Sequence, residues 1–135
     1  MTNAQIPVAE YVRRVPADLR PTLQAARRTI KQIAPQSSET AWRTWPIRYR
    51  QGDVYVVAVG NYPRWVSIFF FRGGELDGVL EGTGKLMRHM KLREPRDASR
   101  PALKRMLRQA FRVGGITMPR ERIARSATRM TLAPR

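Results

Sequence analysis

The stretch from residue 80 to residue 92, LEGTGKLMRHMKL, has the densest group of residues that could bind a ligand. Its glycines punctuate a turn, and backbone N–H groups in such a turn can form a concavity that binds anions. The cationic side chains that follow add positive charge to this concavity. The predicted anion site consists of Gly82, Thr83, Gly84, Lys85, Arg88, His89 and Lys91. The alternative is that the glycines only turn the chain between strands.

The neighbours of this stretch limit the chemistry that it can perform. A Walker A phosphate loop needs GxxxxGK followed by Ser or Thr, whereas Val79 takes the first glycine position here and Leu86 follows Lys85. His89 is the only histidine and the chain has no cysteine, which excludes an ordinary zinc site. An acid–base role for His89 stays open, but no neighbouring serine or carboxylate forms a recognisable triad. We therefore predict a binding domain rather than an enzyme.

A second candidate site is an acidic cluster before the glycine turn, formed by Glu75, Asp77 and Glu81. Carboxylate oxygens suit hard cations, so a weak iron site is the alternative hypothesis for a bound cofactor. The formal net charge of +16 opposes this hypothesis because a positive field repels a cation. The competing interpretation is that the three acids are ordinary turn and cap residues, and then no cofactor is expected.

The strong positive charge predicts a class of partner. A chain with a formal net charge of +16 attracts polyanions, so we expect nucleic acid or another polyanion to bind its basic surface. Residues 114–135 contain many arginines and a single acid, Glu121, and are predicted to form a flexible basic tail. The alternative is a bias of composition, because arginine greatly outnumbers lysine among the 26 cationic residues.

Composition also indicates a compartment and a domain organisation. The absence of cysteine fits a reducing cytoplasm. The longest apolar runs are far shorter than the roughly 20 residues of a membrane helix, so we expect a cytoplasmic protein without a membrane partner. A length of 135 residues predicts a single domain, which we place at residues 1–113, before the tail at residues 114–135. An exposed sheet edge would permit a homodimer.

Hydrophobic periodicity predicts an α+β fold. Apolar residues at helical spacing predict helices over residues 8–15, from Asp18 as N-cap to Pro35, and in a last segment that ends at Gly114. Runs of β-branched and aromatic residues predict strands over residues 53–60 and 65–71. Further strands are predicted around residues 47–50 and over residues 86–92, where His89 and Lys91 would share one face. Residues 36–44 are predicted to form a loop or a short helical turn. The expected architecture is a two-layer sandwich, in which a mainly antiparallel sheet packs against N- and C-terminal helices.

Aromatic and cationic residues alternate in the middle of the chain. The aromatic residues Trp42, Trp45, Tyr49, Tyr62 and Trp65 are interleaved with Arg43, Arg48, Arg50 and Arg64. If exposed, such a set could stack bases and hold phosphates. If buried, it forms the rim of the sheet, with arginines stacked over rings. We expect core or pocket wall, because Trp and Tyr are usually substantially buried.

Several of these motifs together resemble the YdhG-like domain of unknown function. The stretch EGTGKLMRHMKLRE, preceded by a hydrophobic hairpin and GGELDG, resembles that family, as do PQSSETAWRTWP and EYVRRVP. The resemblance covers about residues 5–113, and its pattern also includes Glu39, Pro46 and Asp77. It implies a compact α+β sandwich. Some relatives are described as frataxin-like intracellular iron chaperones, so iron binding is the alternative function that the resemblance implies, and it supplies no catalytic residues.

Overall fold

A six-stranded antiparallel sheet and three α-helices form the fold in the computed structural model, which describes residues 4–78 and 80–117. The elements in chain order are β1 (Gln5–Ile6), α1 (Val8–Arg14), α2 (Arg20–Ile33), β2 (Ser38–Trp42), β3 (Ile47–Gln51), β4 (Val54–Asn61), β5 (Val66–Phe70), β6 (Arg88–Leu92) and α3 (Pro101–Val113). Short 3-10 helices lie at Ala17–Leu19, Gly73–Glu75 and Pro95–Ser99. The strands are arranged in chain order, and all neighbours are antiparallel. The predicted α+β class with an antiparallel sheet is confirmed.

The two longer helices follow the apolar stripes of the sequence. Leu23 and Ile30 of α2 are fully buried, and so are Leu103 and Leu107 of α3. Spacings of seven or four residues place each pair on one side of its helix, and that side faces the core. Among the described residues, no helix is long and apolar enough to cross a membrane.

The start of α2 differs from the prediction. Asp18 does not cap the helix, because the chain first makes a 3-10 helix at Ala17–Leu19 and α2 begins directly after it. The N-cap position is held by Leu19, which makes no side-chain capping hydrogen bond. Pro21 lies in the first turn, where the missing N–H of proline leaves no intrahelical bond unmade.

The loop predicted over residues 36–44 is wrong, since β2 occupies most of it. Its sequence, SETAW, has no apolar run and therefore gives no local strand signal. The strand forms through long-range pairing: Ser38 lies opposite Arg50 and Ala41 opposite Ile47 in β3. Ala41 is completely buried, which supplies the apolar contact that the local sequence does not indicate.

The strands divide their side chains between two faces. One core, which we call the helical core, is shared with the helices. From the sheet it contains Ala41, Ile47, Tyr49, Val57, Val59, Val66, Ile68, Phe70 and Leu92. A separate cluster contains Tyr55, Ala58, Phe69 and Phe71, with Trp45 and Ile116 packed against it. This second cluster includes no helical residue among the part of the chain that the structure describes. The side chains of one sheet therefore have two different environments.

Ile116, which follows the predicted domain boundary at residue 113, pairs with β4. The N–H of Tyr55 donates to the carbonyl of Ile116 at 2.8 Å, and the N–H of Ile116 donates back at 3.0 Å. Ile116 also packs against the second cluster, so it is part of the fold. The arginine-rich part of the predicted tail, from residue 118 onward, lies outside the described residues.

Candidate functional site

The predicted anion-binding turn is an exposed loop that leads into β6. Gly82 has a φ of +125°, a conformation that favours glycine. The Arg88 guanidinium donates hydrogen bonds to the carbonyl of Gly84 and, at 3.0 Å, to that of Met87. Nη1 of Arg88 is thus engaged with the backbone of its own loop.

The predicted cations of the motif lie on different sides of β6. His89 is opposite Phe69 and Lys91 is opposite Ser67, whereas Arg88 is opposite Phe70. Successive side chains of a strand point to opposite faces. Phe70 belongs to the helical core and Phe69 to the second cluster, so Arg88 is separated from His89 and Lys91. Of these three cations, His89 and Lys91 share a face, whereas Arg88 lies with Gly84 on the loop side.

Glu81 is the residue that joins this motif to the acidic cluster. Its carboxylate lies 3.4 Å from the Lys91 ammonium and 3.8 Å from Nε2 of His89. Two backbone hydrogen bonds with His89, of 2.8 and 2.9 Å, fix it beside β6. Glu81 is therefore a partner of the two cations, a pairing that sequence distance alone does not indicate.

The acidic cluster does not converge on a common point. Glu75 accepts a hydrogen bond of 3.2 Å from Arg72, and Glu81 pairs with Lys91. The Asp77 backbone N–H donates to the side-chain carbonyl of Gln109 at 2.7 Å. Within residues 4–78 and 80–117, no group of three or more His, Cys, Asp or Glu side chains could hold a metal ion. The geometry gives no support to the iron site predicted from these three acids.

Glu39 is the centre of a half-buried polar network on the helical side of the sheet. Nε and Nη2 of Arg27 each donate to a different carboxylate oxygen at 2.8 Å, and the Tyr49 hydroxyl donates at 2.5 Å. Burial acts to raise the pKa of Glu39, but the hydrogen bonds from Arg27 and Tyr49 and the charges of Arg27 and Lys31 lower it overall. Burial, together with the charge and hydrogen bond of Glu39, raises the pKa of Tyr49.

An open surface pocket of about 340 Å³ lies against this network and is lined by Gln24, Arg27, Arg28, Lys31 and Glu39. Both oxygens of Glu39 and two nitrogens of Arg27 already bond each other, which explains the position of Glu39 structurally. Pro46, another position of the predicted family pattern, is buried behind a cis peptide bond to Trp45. These two positions therefore lie in the framework of the fold.

The sheet surface outside the helical core carries a layer of rings and cations, which we call the aromatic face. It consists of Trp42, Trp45, Arg48, Arg50, Tyr55, Tyr62, Trp65, Phe69, His89, Lys91 and Arg93. The register supports this grouping, because Arg48, Ala58, Phe69 and His89 lie opposite one another across β3 to β6. Period-two alternation then extends the row along β5 and β6. In β4 a register shift opposite Tyr49 and Arg50 interrupts the alternation and places Tyr55 on this face, opposite Arg50.

Four cations on the aromatic face lie over aromatic rings. The Arg48 guanidinium carbon is 4.6 Å from the centroid of the Trp42 ring and 5.4 Å from that of Tyr55. Arg50 approaches the Tyr55 ring to 5.9 Å. The Trp65 ring has Lys91 at 4.7 Å and Arg93 at 5.4 Å. These distances are in the range of cation–π attraction, which holds the positive charges against the sheet.

The rings also contact one another in a continuous line. The Tyr62 centroid is 5.3 Å from that of Trp65 and 6.4 Å from that of Trp45. Trp45 meets Phe69 edge-on at 4.8 Å, and Phe69 lies 5.4 Å from His89. Packed rings at these separations restrain each other's orientation. These rings therefore form one ordered group, with Lys91 and Arg93 over the ring at its Trp65 end.

The predicted burial of the aromatic set is right for one residue and only partly right for the others. Tyr49 is completely buried in the helical core. Trp42, Trp45 and Trp65 are half-buried on the aromatic face, and Tyr62 is 39% exposed. Arg93 was missed, although the alternation of His89, Lys91 and Arg93 at a spacing of two could have indicated it.

Comparison of the chain with protein-family models finds no match, and neither do comparisons with curated proteins and with solved structures. The resemblance to the YdhG-like family therefore stays a prediction from the sequence. The candidate site rests on geometry alone, and within the described residues the aromatic face is the surface where rings and positive charges are concentrated together.

Proposed function

We propose that the chain is a binding domain for an anionic partner and that the aromatic face is its binding surface. The observation that carries this proposal is the set of cations stacked on the rings of Trp42, Tyr55 and Trp65. A cation above a ring keeps its charge and is already held in place before the ligand arrives. The surrounding field of a chain with net charge +16 favours the approach of an anion.

The aromatic face overlaps with the anion site predicted from the glycine turn. His89 and Lys91 are shared with the anion site predicted from the glycine turn, while Arg48, Arg50 and Arg93 replace Arg88 and Lys85. Nη1 of Arg88 is engaged with loop carbonyls. Lys91 also has a partner, the exposed carboxylate of Glu81 at 3.4 Å, and a bound anion takes the place of this carboxylate. We also propose the finer architecture of a two-layer sandwich of the YdhG-like kind, which the separate core and second cluster support.

Charge removal on the aromatic face tests the proposed function. We expect Lys91→Gln combined with Arg93→Gln to weaken heparin binding by the full chain about tenfold, or about 1.4 kcal/mol. The physical reason is the loss of two cations held on the Trp65 ring. The measurement is a heparin titration over a series of salt concentrations, in which the slope of log affinity against log salt falls by about 2.

The matched control removes the same charge elsewhere. Arg105→Gln combined with Arg108→Gln changes two exposed positions on α3. We expect heparin affinity to change by less than about twofold, because salt screens the interaction of distant exposed charges with the ligand. Equal losses in both double variants would assign binding to net charge alone. Lys85→Ala combined with Arg88→Ala tests the glycine turn, and a larger loss there than for Lys91 and Arg93 would move the site to that turn.

A further inference from the structure

We propose that the anionic partner of the aromatic face is single-stranded nucleic acid, with bases stacked on the rings and phosphates paired with the neighbouring cations. This inference rests on the proposed polyanion-binding function and narrows it to one class of ligand. The supporting observation is that the same pair of groups, a half-buried tryptophan with a cation over its ring, occurs twice on the aromatic face. We call each such pair a unit. One unit is Trp42 with Arg48, and the other is Trp65 with Lys91 and Arg93.

Each unit matches the chemistry of a nucleotide, which joins a flat base to a charged phosphate. Aromatic side chains and guanidinium planes both stack on bases, and every base has a π surface. A cation within about 6 Å of the ring then lies close to the phosphate that follows the stacked base. The charge and the stacking surface are supplied by neighbouring side chains, as the pairs Arg48–Trp42 and Lys91–Trp65 show.

The spacing of the two units fits a strand that crosses the sheet. Trp42 lies on β2 and Lys91 on β6, four strand spacings apart in the strand order. At about 4.8 Å per spacing, the face is about 19 Å wide. Tyr62 and Trp45 extend the line of rings inward from Trp65. A path of this width suits a run of several nucleotides, which is the scale of single-strand sites on other sheets.

The accessible ring surface favours a single strand over other polyanions as the ligand. In a duplex the bases are stacked on one another and offer only their edges and the phosphate backbone, so exposed rings would gain nothing from it. An acidic protein or a sulfated polysaccharide would use the cations but not the π surface. The exposure of Tyr62, at 39%, and the partial exposure of Trp42 and Trp65 thus favour a ligand with free base faces.

The tryptophans provide a direct test, because all three in the chain lie on this face. We expect a thymine oligonucleotide of about 12 residues, a length within known single-strand site sizes, to quench the emission of the full chain as it binds. A duplex of equal length should bind more weakly with little quenching. Heparin should bind through charge and leave the emission nearly unchanged, because it has no aromatic bases.

Substitution of one ring separates stacking from charge. Trp65→Leu should weaken binding of the oligonucleotide about tenfold and heparin binding by less than about twofold, because the stacking surface is lost while the charges of Lys91 and Arg93 remain. Trp65→Phe keeps a ring and should retain affinity within about threefold of the native chain. Phe111→Leu, a half-buried aromatic position of α3 that packs against the helical core, is the matched control and should not alter binding.

The outcomes distinguish this inference from the function on which it rests. If duplex and heparin bind as tightly as the single strand with the same change in emission, the polyanion function stands and the single-strand inference is wrong. If none of the three binds at low salt, both are wrong. Binding of vesicles that contain anionic lipid, without binding of the oligonucleotide, would identify a membrane surface as the partner and overturn the inference.

Discussion

Replacing Glu39 with glutamine is expected to lower the free energy of unfolding by about 2–3 kcal/mol. The substitution keeps the shape of the side chain but leaves Arg27 half-buried without its two charge-assisted hydrogen bonds of 2.8 Å. It also weakens the acceptor of the Tyr49 hydroxyl. Urea unfolding at neutral pH measures the effect. The matched control is Glu10→Gln, which removes an exposed ion pair with Arg14 and should cost less than about 0.5 kcal/mol.

The same substitution predicts a change in the pH dependence of stability. The pKa of Glu39 in the fold lies below its ordinary value of 4.5, so the ionised carboxylate stabilises the folded state. This contribution is fully present above pH 4.5 and is lost as the pH falls through the folded-state pKa. We expect the stability difference between the native chain and Glu39→Gln to shrink steadily with acidification. A difference that is constant between neutral and acid pH would contradict this account of the network.

Replacing Gly60 with alanine is expected to disrupt the aromatic face and to lower the free energy of unfolding by about 1–3 kcal/mol. A Cβ atom at this position would lie 2.1 Å from Nε1 of Trp45 and 2.4 Å from the adjacent ring carbon. Trp45 would have to leave the surface of β4, and its edge-on contact with Phe69 would be lost. Tryptophan emission and urea unfolding measure the two consequences, and we expect weaker oligonucleotide binding as well.

Gly84→Ala is the matched control for this substitution. A Cβ atom at Gly84 would have the Met87 carbonyl as its nearest neighbour, at 3.8 Å, which is ordinary contact. Stability and tryptophan emission should therefore change little. If Gly60→Ala resembled Gly84→Ala in both measurements, Trp45 would not be held against β4, and the line of rings on the aromatic face would be interrupted.

Local patterning accounts for most of the predicted elements. The apolar stripes of α2 and α3 and the β-branched and aromatic runs of β4 and β5 each consist of residues that are close in the chain. Alternation within β6 also predicts that His89 and Arg88 lie on opposite faces of the sheet. β2 could not be predicted in this way, because SETAW becomes a strand only when β3 pairs with it and Ala41 enters the core.

The sequence by itself determined the α+β class, the antiparallel strands and the closeness of arginines to aromatic residues along the chain. Only the tertiary structure decided which rings remain accessible, because period two assigns side chains to two faces without saying which face the helices cover. Tyr49 entered the core and Trp65 did not, although both were similar candidates. Long-range packing likewise paired Glu81 with Lys91 and brought Arg93 over Trp65, contacts that depend on strand order and register.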